Sequence, residues 1–205
     1  MDKDNPSLEA LQDIKRIMER SSRFISLSGL SGFSAGVCAL VGACVAGRWL
    51  TQFERGDLAA YELKLKLLWL GLAILILALS CAFFFTWRKA KLDGLPLWDH
   101  SSRKLLINLL VPLVAGGFYA GGLVYHDQGH LVPSATLVFY GLALVNSSKY
   151  TLGDIRYMGL LEILLGLVSM FYTESGLYFW AVGFGVLHMV YGLIMWRKYD
   201  RRTNR

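Results

Sequence analysis

The sequence predicts an all-α membrane protein: a bundle of six transmembrane helices behind an N-terminal amphipathic helix, with both termini cytoplasmic. Three observations predict it. The hydrophobic fraction is 55% and the mean hydropathy +0.44, although the chain carries 21 Lys and Arg and 15 Asp and Glu. The apolar residues gather into six runs of roughly bilayer length. The basic residues gather in alternate gaps between those runs. A bilayer imposes this segregation, because backbone in hydrocarbon must satisfy its own hydrogen bonds and charged side chains belong outside. A soluble chain of 205 residues could not enclose so much apolar side chain in one core.

Residues 1–23 form the first unit, a cytoplasmic amphipathic helix. Asn5 suits an N-cap and Pro6 the first turn, and Leu8, Leu11, Ile14 and Met18 recur at three- to four-residue spacing. Glu9, Asp13, Lys15, Arg16, Glu19, Arg20 and Arg23 occupy the other face, which can lie on the inner leaflet or dock a partner. The second unit, 24–196, holds the six runs: about 24–47, 67–87, 105–125, 131–148, 157–173 and 177–196. Their 17 to 24 residues match a hydrocarbon core of about 30 Å at 1.5 Å per residue. The first run begins only at Phe24, behind charged residues, so it is expected to be a span and not a cleavable signal. Residues 197–205 form a basic cytoplasmic tail.

Orientation follows from the basic residues. Seventeen of the 21 fall before the first run, in 88–104, at Lys149 and Arg156, or in the tail. The other side has only Arg48, Arg55, Lys64 and Lys66. Positive residues stay inside, so both ends are placed in the cytoplasm. The same distribution accounts for the net charge of +6 as orientation and contact with anionic lipid, and nucleic acid is not expected as a partner. Trp49, Trp69, Trp87, Trp180 and Trp196 lie at run ends, as interfacial anchors do. Cys38, Cys44 and Cys81 fall inside apolar runs and read as packing residues. No cofactor and no metal is expected; His126, Asp127 and His130 have ligand-like spacing but sit on one short turn.

Small residues predict helix packing: Ser28, Gly32 and Gly36 in the first run, Gly117 and Gly121 in the third. Glu162 is the one formally charged residue in the six runs and His188 the one histidine. A charge at mid-helix costs roughly 2.5–3.5 kcal/mol on insertion scales, so it seeks a partner or a wet cavity. A tight turn centred on Ser175 sets residues equidistant from it at equal depth, and Glu162 and His188 are each 13 residues away. The same register is expected to set Gly159 against Gly192 and Gly166 against Gly185. The polar pair then either locks this hairpin or serves as a proton-responsive pair or ligand site. Asn108 and Asn146, near the ends of runs three and four, are supporting intramembrane polar residues suited to interhelical hydrogen bonds.

Gly29-Leu30-Ser31-Gly32 together with a late histidine resembles the serine–histidine pair of rhomboid-type intramembrane proteases. In that family the serine lies two helices before the histidine; here it lies on the first run, and no catalytic residue is assigned. Two stretches, Ile14 to Gly32 and Asp154 to Asp200 (notably DIRYMGLLEILLGL and FWAVGFGVLHMVYGLIMWRKYD), resemble a group of small bacterial inner-membrane proteins with no assigned activity. The resemblance implies a multi-pass protein of the bacterial inner membrane and carries no mechanism. The function expected is therefore a non-enzymatic membrane protein, a sensor or membrane partner of a cytoplasmic regulator, in contact with lipid and with a soluble protein. The alternative is a small transporter or channel that uses Glu162 and His188 as a homo-oligomer. Pro112 is the one proline well inside a run, which offers little of the broken-helix pattern of transporters.

Overall fold

The computed structural model describes residues 28–94 and 98–200. The expected amphipathic helix at 5–23, the start of the first run and residues 201–205 of the tail lie outside the described residues, as do residues 95–97. Among the described residues the fold is all-α, with six helices and no strand. Five of these helices are long and apolar enough to cross a membrane.

Helix α1 is Gly29–Glu54 and α2 is Ala60–Leu92, a 33-residue helix. Helix α3 is His100–Tyr125, opened by a capping box in which Asp99 and Ser102 satisfy each other's backbone N–H. Pro112 stands inside it without ending it. Helix α4 is Val132–Ser147, flanked by 3₁₀ turns at Gly129–Leu131 and Ser148–Tyr150. Helix α5 is Ile155–Phe171, and α6 is the helical run Thr173–Asp200. The fourth of these long helices is α4 together with its flanking 3₁₀ turns, Gly129–Tyr150, 22 residues in all; at 17 residues α5 is shorter than that, though about 26 Å at 1.5 Å per residue is within the range of a spanning helix.

Two helices extend well beyond their apolar runs. Helix α2 takes in Glu62, Lys64 and Lys66, and α1 runs on to Glu54. Lysine stems can lie along a helix that leaves the hydrocarbon while their ammonium groups reach water. Lys66 lies over the Trp49 ring at 5.9 Å, and Lys64 pairs with Asp127 of the α3–α4 turn.

Burial is inverted relative to a soluble protein. The buried residues of α1 are Gly29, Ser31, Gly36, Ala39, Gly42, Ala43 and Ala46, all small. Trp69, Phe83, Ile107 and Phe118 on α2 and α3 are exposed. Without hydrophobic drive between helices in lipid, close backbone approach supplies the packing, and large apolar side chains belong outward. Helix α1 lies between α6 and α2, while α4 lies between α3 and α5 and also meets the start of α6. Leu144, Leu152, Ile155, Met158 and Met195 form an apolar cluster near the end of the bundle that holds Asp154 and Asp200.

The glycines show where backbones meet. A Cβ on Gly36 would lie 2.7 Å from the Gly185 carbonyl oxygen, and one on Gly32 would lie 3.4 Å from Gly192 Cα. Gly159 and Gly141 are reciprocal: a Cβ on either would come within 2.7 Å of the other's carbonyl oxygen. Gly166 meets Val138 and Ser134, whose hydroxyl donates to the Gly166 carbonyl at 2.7 Å. The expected glycine pairings across the α5–α6 hairpin are therefore corrected. Gly159 and Gly166 pack on α4, and Gly185 and Gly192 pack on α1. A second correction concerns α3, where Gly117 and Gly121 face open space and the neighbouring Gly116 takes the contact, against Phe139.

Candidate functional site

Glu162 projects from the buried face of α5, which repeats at helical spacing as Ile155, Met158, Gly159, Glu162, Gly166 and Ser169. Its side chain is wholly enclosed, at 0% exposure, and neither carboxyl oxygen has a hydrogen bond. His188 of α6 faces it, with Nδ1 3.4 Å from Glu162 Oε1. Equal depth in the hairpin thus brings the two expected residues together, although the flanking glycines turn elsewhere.

The imidazole is held from two sides. Its Nδ1 lies 3.0 Å from the Gly183 carbonyl oxygen and its Nε2 lies 2.8 Å from the Tyr140 hydroxyl of α4. In neutral imidazole this arrangement selects one tautomer: Nδ1–H donates to Gly183 and Nε2 accepts from Tyr140. The backbone contact spans five residues and lies where α6 widens into a π-helical stretch, Ala181–Leu187. Single π turns of this kind occur often at functional sites. Gly183 also makes room for the acid, because a Cβ there would collide with the Glu162 carboxyl and with Leu137. Stacked rings continue from the site: Tyr140 and His188 lie 5.3 Å apart at 29°, and Phe184 and His188 lie 5.8 Å apart at 20°. Trp180 continues the series against Phe184 at 5.0 Å.

A carboxyl so placed cannot remain an unpaired anion without a large desolvation cost. The pair can stay neutral overall in two ways, as carboxylic acid with imidazole or as carboxylate with imidazolium. The second state has one proton fewer on the Glu162 carboxyl and one more on His188 Nε2, the nitrogen beside Tyr140, so the Tyr140 hydroxyl turns from donor to acceptor.

The end of α6 beyond His188 carries a second set of polar contacts. One Asp200 oxygen accepts from the Ser28 hydroxyl and from the Gly29 N–H, both at 3.0 Å, and so caps α1 from another helix. Its other oxygen is 2.7 Å from the Lys89 ammonium of α2, with both side chains nearly buried. Lys198 and Tyr199 donate to Asp154, in the link before α5, at 2.7 and 2.8 Å. The Lys198 hydrogen bond, reinforced by that of Tyr199, holds the Asp154 carboxyl below its usual range against some desolvation. Helix α6 therefore joins the polar pair to contacts with α1, α2 and the α4–α5 link.

The other residues singled out in the sequence lie as follows. Asn146 donates to the Asn108 carbonyl at 2.8 Å and ties α4 to α3, while the Asn108 amide bonds back to Lys104 in its own helix. Ser31 donates to the Ser28 carbonyl and both His188 nitrogens are engaged elsewhere, so no serine–histidine pair forms. Among the described residues no three His, Cys, Asp or Glu side chains group as metal ligands; Asp127 takes Lys64, and His126 packs edge-on against Tyr125. Sequence reasoning missed Tyr140. Equal depth applied to the α4–α5 hairpin would have placed it near Glu162, close to the level at which the structure sets Gly141 against Gly159. No family model, no curated protein and no solved structure matches the chain.

Proposed function

We propose that this chain is a non-enzymatic, six-span protein of the bacterial inner membrane with both ends cytoplasmic, acting as a membrane sensor for a cytoplasmic partner. The charge asymmetry of the sequence supports the orientation. The length of α5 is compatible with a sixth crossing. The resemblance read from Ile14 to Gly32 and Asp154 to Asp200 is the ground on which a bacterial inner membrane is proposed. The observation that carries the sensing role is the build of α6. It bears His188 against the buried Glu162, and about three turns later it bears Lys198, Tyr199 and Asp200, which hold α1, α2 and the α4–α5 link. A change of state at the pair alters the seat of α6, and that end of the helix presents the change to a soluble protein.

The experiment is a reporter at that end. Cys38, Cys44 and Cys81 are changed to Ala and a single cysteine is placed at exposed Arg197. Its labelling rate in membrane vesicles opened to the cytoplasmic face is then compared between the parent and Glu162→Gln. A change of at least about twofold is expected, with none for Leu164→Ala, which truncates an exposed apolar side chain of α5. Equal rates in all three would contradict the sensing role.

A further inference from the structure

We infer that the ligand of the Glu162–His188 site is a proton: the two side chains and Tyr140 form a proton-exchange site enclosed by the bundle. This deepens the sensing reading and rests on it. Two observations lead there, and both are geometric. The Glu162 carboxyl is fully enclosed with both oxygens unpartnered, 3.4 Å from an imidazole nitrogen. The imidazole's own partners, the Tyr140 hydroxyl and the Gly183 carbonyl, suit either protonation state, because the hydroxyl can donate to Nε2 or accept from it.

The surroundings narrow the ligand. Helix α1 meets α6 at this depth through Gly32 and Gly36, which carry no ionisable group. Helix α4 presents Tyr140 and Leu137. Helix α5 contributes Glu162 itself, and α6 contributes His188, with Tyr191 one turn on and its buried hydroxyl unpartnered. A hydrated metal ion or an organic substrate needs a ring of oxygen or nitrogen ligands and room for its own volume. Glu162 fills the space left by the missing Gly183 side chain, and a proton needs no further volume.

The exchange balances simply. From the neutral pair, losing one proton to water leaves the carboxylate beside neutral imidazole. Gaining one gives the carboxylic acid beside imidazolium, with Nε2–H now donating to Tyr140. Each step puts one net charge into the interior, which is what makes the seat of α6 sensitive to it.

Infrared difference spectroscopy on the full chain in lipid vesicles reads the carboxylic acid directly. Between roughly pH 5 and pH 9, a range chosen to bracket histidine and displaced carboxyl groups, wild type minus Glu162→Gln should show a carboxylic C=O band. The band should grow on acidification and shift when H2O is replaced by D2O. His188→Gln should move its midpoint by about one pH unit or more. Tyr140→Phe, which keeps the ring and removes the hydroxyl, should also displace it. A band that is absent, constant over this range or unmoved by D2O overturns the proton assignment. If the Arg197 reporter still responds to Glu162→Gln in that case, the sensing role stands with a different ligand. If neither responds, both readings fail.

Discussion

At the scale of single residues, Glu162 is held in place by what its neighbours lack. Gly183 has no side chain, so the carboxyl can occupy the space beside α6; Leu137 closes that space, and no donor reaches either oxygen. The cost of such a group depends on its partner, and the partner is His188 at 3.4 Å. Removing one member should therefore hurt more than removing both. Glu162→Gln leaves the imidazole without its acid, whereas His188→Ala leaves a buried carboxyl without its imidazole and deprives the Tyr140 hydroxyl of its acceptor. Thermal unfolding in detergent of wild type, both singles and the double should show non-additivity of more than about 0.5 kcal/mol. Losses that simply add would mean that the two side chains are not energetically in contact.

At the scale of helices, the contacts that fix the bundle are backbone to backbone. Gly141 against Gly159 brings α4 and α5 together, and Gly36 against Gly185 does the same for α1 and α6. A methyl group at Gly159 has nowhere to go without separating α4 from α5, so Gly159→Ala should cost about 1–3 kcal/mol of stability. Gly117→Ala, on the open face of α3, should change stability by less than about 0.5 kcal/mol. Matched melting curves in detergent decide this, and equal effects at the two positions would contradict the assigned interfaces. The contrast also marks what the sequence discloses at this scale. Six apolar runs were legible because hydrocarbon excludes charge, and the depth of Glu162 relative to His188 was legible because a tight hairpin fixes depth. Rotation about each helix axis was not. Gly159 and Gly192 lie at matching depth, yet each turns to a different helix, because depth in a hairpin says nothing about which third helix competes for the same face. The length of α2 was hidden for another reason: Glu62, Lys64 and Lys66 look like loop residues, although a helix that leaves the hydrocarbon can carry them.

At the scale of the whole molecule, the small residues lie inside and the large apolar ones outside, with α2 and α3 flanking a more enclosed set of α1, α4, α5 and α6. This suits a chain whose solvent is lipid, and it places the polar pair among the helices that are least exposed. Sidedness then decides the biology, because a sensor for a cytoplasmic partner must present the Asp154 and Asp200 end to the cytoplasm. In the proposed six-span arrangement Gly129 and Ser175 lie in the outer turns, and Asp93 lies in an inner loop. The direct test uses single cysteines at these three positions in a background with Cys38, Cys44 and Cys81 changed to Ala, exposed in intact cells to a membrane-impermeant thiol reagent. The account predicts labelling at Gly129 and Ser175, and labelling at Asp93 only after the membrane is opened. Labelling of Asp93 in intact cells, or protection of Ser175 until they are opened, would contradict it.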